Sequence, residues 1–276
     1  MEITAAMVRE LREKTGLPMM ECKRALEEAG GDMEKAIELL RKKGLAQAGK
    51  RAGRATGEGR ITHYHDAATG RSAIVEVLCE TEPVTGTDDF VQLGKAAAEV
   101  AAKLDTPTPE AILDQVSPTD PARKVGDMLN DVVNRIRENI KIGRVGTSSG
   151  HSGYYLHHDG RKGVLVEFSG PTPTELAADV CMHIVAMRPG YTRREDVEAN
   201  LVEQERALAA EQVKGKPENI VDKIVSGKID KWLGEIVLLE QLFVKDDKKT
   251  VGQVLREHAP DLTVKRFVRL EVGESD

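Results

Sequence analysis

Aromatic side chains are scarce in this 276-residue chain, at 3% with a single tryptophan. Large rings therefore cannot dominate its cores, which must be filled by Leu, Ile, Val and Ala. Cysteine is thin as well: Cys22, Cys79 and Cys181 lie far apart, with no CxxC pair. An odd, unclustered set of thiols is expected to be buried and reduced, without disulfides, as in a cytoplasmic protein. No apolar run approaches the roughly 20 residues that cross a bilayer. The opening MEITAAMVRELREK lacks the basic-then-apolar pattern of a secretion signal. Excess positive charge is missing too. A net charge of −6 argues against general binding to DNA or RNA, which needs a basic face to displace counterions, and leaves open only a local basic patch. The phosphate-cradling GxxxxGK(S/T) loop is also missing. Gly160-Arg161-Lys162-Gly163 falls in a hairpin turn instead of a strand-to-helix junction, so no direct nucleotide binding is expected.

What is present fits an ordinary folded chain, 40% hydrophobic and 31% charged, and the length suggests two domains with small appendages. The first 45 residues predict three short helices. Thr4 can cap the first and Thr15-Gly16 stop it. Pro18 suits the first turn of the second, which Met20, Leu26 and Ala29 can line. Gly30-Gly31 breaks the chain, Asp32 caps the third helix, and Gly44 is expected to end it. Three helices in under fifty residues bury only a small core, which suits a docking unit (1–45). Residues 46–59, AQAGKRAGRATGEG, read as a glycine-rich basic linker, with helical turns possible at its start.

A hairpin–loop–helix pattern then occurs twice. ITHYH and SAIVEVLCE flank a turn at 67–70, before an alanine-rich helix. GYYLHH and GVLVEF flank 159–162, before a helix at 174–187. Two related α/β subdomains with small antiparallel sheets follow from this, one at 60–145 and one at 146–194 with 238–276, in an α+β chain. A proline-rich connection at 107–121 leads to a helix expected at 122–140. Helical runs at 195–213 and 217–237, joined only by Lys214-Gly215-Lys216, predict an antiparallel helical hairpin (195–237). Val197, Leu201 and Leu208 stripe one run; Val221, Val225, Trp232 and Ile236 stripe the other. The tail predicts a short strand at 242–244, a helix at 251–258 and a strand at 266–272 that pairs with the second subdomain.

Side-chain chemistry points away from catalysis. His63 and His65 share a strand face while His157 and His158 point to opposite faces, and no carboxylate or Cys cluster completes a ligand set, so no metal is expected. Cys181 and His183 sit two apart on a helix, where side chains do not face each other, which disfavours a thiol nucleophile. His183 is left as a polar contact in an interface. Met19-Met20 reads equally as plain core or as an adaptable contact surface.

Longer stretches carry a specific likeness. TGLPMMECKRAL at 15–26 and CETEPVTGTDDF at 79–90 closely resemble the two signatures of the elongation factor Ts family. RENIKIGR at 137–144, GYYLHHDGRKGVLV at 153–166, CMHIVAMRP at 181–189 and GKPENIVDKIVSGKIDKWLGE at 215–235 extend the resemblance along the chain, as do KTVGQVL and RFVRLEVGE. It implies a ubiquitin-associated-like three-helix N-domain, two related core subdomains and an inserted antiparallel coiled coil. It implies a non-enzymatic guanine nucleotide exchange factor in the cytoplasm, without cofactor, that binds elongation factor Tu in its GDP-bound and nucleotide-free forms. By resemblance Met19 and Met20 touch the partner's GTP-binding domain, and Thr81, Glu82, Pro83 and Val84 disturb its Mg2+ site. Ile136, Arg137, Glu138 and Asn139 support that contact, and His157 lies near the nucleotide-domain interface. The family's Thr-Asp-Phe-Val stands here as Thr81-Glu82-Pro83-Val84. The lost aromatic wedge implies an alternative, a factor Tu-binding stabiliser with weak exchange activity.

Overall fold

Thr4 accepts the Met7 N–H on its hydroxyl at 3.3 Å and starts helix α1 (Ala5–Thr15), while Gly16, at φ 68°, ends it by donating to the Arg12 carbonyl. This cap and stop are the ones expected from sequence. The computed structural model describes residues 2–213 and 218–274. Pro18 sits just before α2 (Met19–Glu28), whose buried face is Cys22, Ala25 and Leu26. Met20 does not line that helix: it is 58% exposed, and Met19 51%. Asp32 caps α3 (Met33–Arg51), which runs straight through Gly44. The glycine serves close approach instead of termination. A Cβ there would lie 2.0 Å from the Asn134 side chain, and the following Leu-Ala-Gln-Ala favours helix. Thus the start of the expected linker is continuous helix. Ala36 and Leu40 belong to the core of the three N-terminal helices, and Ala48, on the same α3, packs on the next core.

Strands β1 (Glu58–Asp66) and β2 (Arg71–Cys79) form the first hairpin, followed by α4 (Asp88–Lys103), α5 (Pro109–Asp114) and α6 (Val125–Ile136). Helix α6 is shorter than the helix expected at 122–140 because Arg137 turns the chain at φ 68°. Beyond that turn β3 (Lys141–Ser148) pairs with β2, a strand the sequence did not announce. The second hairpin, β4 (Ser152–Leu156) and β5 (Lys162–Phe168), precedes α7 (Thr174–Met187). Helices α8 (Ala199–Glu211) and α9 (Glu218–Ile236) pack side by side through Ala209, Val225, Ile229 and Leu233. Leu208, expected in that stripe, is 55% exposed. The expected turn Lys214-Gly215-Lys216 lies outside the described residues. A ribbon of β6 (Leu242–Phe243) and β7 (Asp246–Thr250) leads to α10 (Val251–His258) and to β8 (Val264–Glu271), the tail strand expected to join the second hairpin's subdomain, which pairs with β5.

The described strands give two antiparallel sheets, β1-β2-β3 and β4-β5-β8, besides the ribbon. Helix α4 covers one face of the first sheet, where Ala73, Val75 and Val77 meet Phe90, Leu93 and Ala97. Helix α7 covers one face of the second, where Val164 and Val166 meet Val180 and Ile184. The remaining faces meet each other through Ile61, Ile74, Leu165 and Leu270. Each such side chain contributes about 1.5–3 kcal/mol on full burial. Strand β2 is therefore covered on both sides, which explains its near-continuous apolar run.

One charge interrupts that run. Glu76 is buried between the sheets opposite a bulge in β3, where Gly143 leaves room for its carboxylate. Arg144 answers it through Nε at 3.2 Å and Nη2 at 2.8 Å, and also donates to the Glu271 carbonyl of β8 at 2.6 Å. The pair thus bridges the two sheets.

His63 lies at the same seam, stacked on Tyr154 with ring centroids 3.5 Å apart. Burial pushes its pKa from 6.5 down to about 4, with the neighbouring His65 adding to the effect. Between those values the unfolded chain takes up a proton that the folded chain refuses, so this contribution to stability is lost as pH falls from 6.5 towards 4. The loss between pH 7 and pH 5 amounts to about 2 kcal/mol at most, at 1.36 kcal/mol per pH unit, less whatever solvent screens. His63→Phe keeps a ring on Tyr154 and removes the titration. Urea midpoints at pH 7 and pH 5 are expected to differ less for His63→Phe than for the wild type. An equal drop would place the acid sensitivity elsewhere.

Candidate functional site

The end of β2, the end of α6 and the start of α2 meet at one edge of the molecule. Beyond Cys79 the chain enters a 3₁₀ turn (Glu82–Gly86) that leads into α4. Thr81, Glu82 and Pro83 are exposed, whereas Val84 is 7% exposed and packs into the first core. Of the four residues expected to act together, Val84 is thus the anchor and the other three form the tip. The Glu138 carboxylate accepts the Glu80 N–H at 3.1 Å, the Thr81 N–H at 3.0 Å and the Thr81 hydroxyl at 2.5 Å. In the opposite direction the Asn139 N–H donates to the Glu80 carboxylate at 2.7 Å. The buried Asn139 amide also donates to the carbonyls of Ala52 and Arg54, tying in the segment that follows α3.

Arg137, exposed at the left-handed turn, pairs with Glu21 on α2, next to Met19 and Met20. Ile136 is half-buried against the first core and supports this turn from within. His157 stands at the turn between β4 and β5, its Nδ1 3.1 Å from the Tyr155 hydroxyl and its ring against His158. The turn reaches the loop through one intermediary: the Ile61 N–H donates to the Gly160 carbonyl, Gly160 abuts the Arg60 side chain, and Arg60 donates to the Thr85 carbonyl at 3.3 Å. The fold therefore brings Met19, Met20, Thr81, Glu82, Pro83 and residues 136–139 to one edge, with His157 reached through Arg60. Glu21, Arg60 and Glu80 complete the arrangement and were not anticipated. Their contacts span 25 to 116 residues of sequence, and no local pattern signals them.

The remaining candidates resolve into structure. Among the described residues no three His, Cys, Asp or Glu side chains come together to hold a metal ion. His65 Nδ1 lies 2.7 Å from the Ser72 hydroxyl. Cys181 is fully buried and its thiol pKa is pushed up by burial. His183 is not a surface contact: it is buried, its Nδ1 accepts the Val244 N–H, and its Nε2 therefore donates to the Gln241 amide oxygen at 2.9 Å. Burial lowers its pKa. No described helix is long and apolar enough to cross a membrane.

Residues 80–274 match the family model described as Elongation factor TS. The class this defines is a translation elongation factor that acts by nucleotide exchange. Relatives agree over almost the whole chain. An "Elongation factor Ts" of Methylococcus capsulatus is 44% identical over 279 residues, covering 99% of this chain and 93% of the relative. One of Aquifex aeolicus is 40% identical over 286 residues, with 99% of each chain covered, and one of Clostridium perfringens is 40% identical over 285 residues, covering 99% and 93%. The chain belongs to the elongation factor Ts family.

Proposed function

We propose that this protein binds elongation factor Tu in its GDP-bound and nucleotide-free forms, disturbs the partner's Mg2+ and phosphate site, and drives GDP off. The observation that carries this reading is the exposed tip Thr81-Glu82-Pro83, buttressed from behind by Glu138 on an edge shared with Met19 and Met20. In this reading the N-terminal docking domain (1–45), ubiquitin-associated-like, with its third helix continuing to Arg51, docks on the GTP-binding domain through the two methionines. The tip enters that domain beside them, residues 136–139 back it, and His157 flanks the contact. The two core subdomains (60–145, and 146–194 with 238–276) carry the edge, and the helical pair (195–237) is an antiparallel coiled-coil arm. The protein acts in the cytoplasm, where translation takes place.

Linkage supplies the mechanism. A protein that prefers the nucleotide-free partner over the GDP-bound one must weaken GDP binding by the same factor. Mg2+ holds phosphate oxygens to the partner, so moving it removes the largest local charge opposing release. No bond is made or broken, and no residue of this chain acts as acid, base or nucleophile.

A second reading has one observation in its favour. With Val84 turned inward, Pro83 is the largest apolar group at the tip, and it offers less area than an aromatic ring, whose burial is worth about 1.5–3 kcal/mol. That favours a factor Tu-binding stabiliser with weak exchange. One experiment separates the two: release of labelled GDP from the cognate factor Tu by stopped flow, alongside binding and single-turnover GTP hydrolysis. The expected result is faster GDP release at unchanged phosphate production. Binding without faster release selects the stabiliser, and faster phosphate production would sink the exchange reading.

A further inference from the structure

Thr81 is tied down at every backbone and side-chain polar atom, although it is exposed. Its N–H and hydroxyl donate to Glu138, and its carbonyl accepts from the Cys79 thiol at 3.3 Å and from the Val84 N–H at 3.3 Å. An exposed loop between a strand and a helix would ordinarily sample many conformations, and fixing each residue costs about five- to thirtyfold in an equilibrium constant. Here the cost is met before any partner arrives. The brace is reciprocal. Glu138 holds residues 80 and 81, while Glu80 holds the Asn139 N–H, so neither segment moves without the other. Arg137 directs this brace. Its left-handed backbone turns the chain at the end of α6, and Glu138 follows at once.

We propose that Glu138 is a positioning residue for nucleotide exchange: its carboxylate presets the conformation in which Thr81, Glu82 and Pro83 are presented to the partner. The proposal rests on the exchange reading given above. Glu138 need not touch the partner, because both of its oxygens already face the loop. Its removal acts on the loop's entropy. The loop still reaches the partner, but it occupies the productive conformation only a fraction of the time, and this appears in the release step more than in docking, which Met19 and Met20 provide.

The test compares Glu138→Ala and Glu138→Gln with the wild type in the full chain. A glutamine can keep the arrangement: its oxygen accepts the two N–H groups and its amide nitrogen donates to the Thr81 hydroxyl. The expected result for Glu138→Ala is a fall of about tenfold, the equivalent of 1.4 kcal/mol, in the maximal rate of GDP release at saturating exchange factor. Affinity for factor Tu should stay within about threefold, and Glu138→Gln should recover most of the rate. Parallel loss of affinity and rate, or no change in either, would overturn the proposal. Amide hydrogen exchange on the isolated chain gives a readout independent of any partner: the N–H groups of Glu80 and Thr81 are expected to lose protection in Glu138→Ala while those of β2 keep theirs. If the wild type itself fails to release GDP, the exchange reading falls. Unchanged protection at Glu80 and Thr81 refutes the brace by itself.

Discussion

Glu76→Ala is expected to destabilise the protein by about 3 kcal/mol, the scale for breaking a buried ion pair from one side. Glu76 keeps 4% of its side-chain surface and Arg144 19%, so little water is available to replace the lost partner. The guanidinium also holds the Glu271 carbonyl of the facing sheet, so the damage should spread across the seam between the sheets and not stay within one of them. Removing both charges together is a different matter. Glu76→Leu with Arg144→Met fills similar volume without an unpaired ion, and such replacements of a buried pair are often neutral. Urea unfolding of the single and double variants tests this, and a cost below about 1 kcal/mol for Glu76→Ala would mean that the pair does not hold the sheets.

Met19→Ala with Met20→Ala should weaken binding to factor Tu by about a hundredfold while leaving the fold intact. The two side chains are 51% and 58% exposed, and the face of α2 that packs inward is Cys22, Ala25 and Leu26. Truncating them therefore removes little that the folded chain uses. On docking, each methionine has roughly half its surface left to bury, worth about 1–1.5 kcal/mol, and two together give about two powers of ten. Titration calorimetry and a melting curve check both halves. Unchanged affinity would remove the methionines from the interface, and a fall in melting temperature would return them to the core.

Where local chemistry decides, the sequence was readable. The hairpin β1–β2, the hairpin β4–β5 and the caps at Thr4 and Asp32 follow from alternation, turn residues and capping residues. Where tertiary contact decides, it was not. Gly44 reads as a helix stop until Asn134 is seen pressing on it, and KIGRVGTS reads poorly as a strand because its glycines weaken it. Those glycines are there for packing: Gly143 admits Glu76, and a Cβ at Gly146 would lie 2.6 Å from Val268. The short α5 and β7 likewise lack the length that makes a pattern visible. The site divides in the same way. Signature stretches pointed to Met19, Met20 and residues 81–84 and 136–139. The contacts within them, with Val84 packed inward, Glu138 hydrogen-bonded to Thr81 and Arg137 paired with Glu21, join distant segments.

The three cysteines have a practical consequence. Each has no accessible surface in the folded chain, and burial pushes the Cys79 thiol up to about 12. A maleimide offered to the native protein should therefore find little to react with, and a cysteine introduced at an exposed position such as Leu208 would take up a dye selectively without stripping the native thiols first. The same three groups form a built-in unfolding probe. They lie in separate parts of the fold, on α2, at the end of β2 and on α7, so the order in which they become reactive in rising denaturant reports which core opens first.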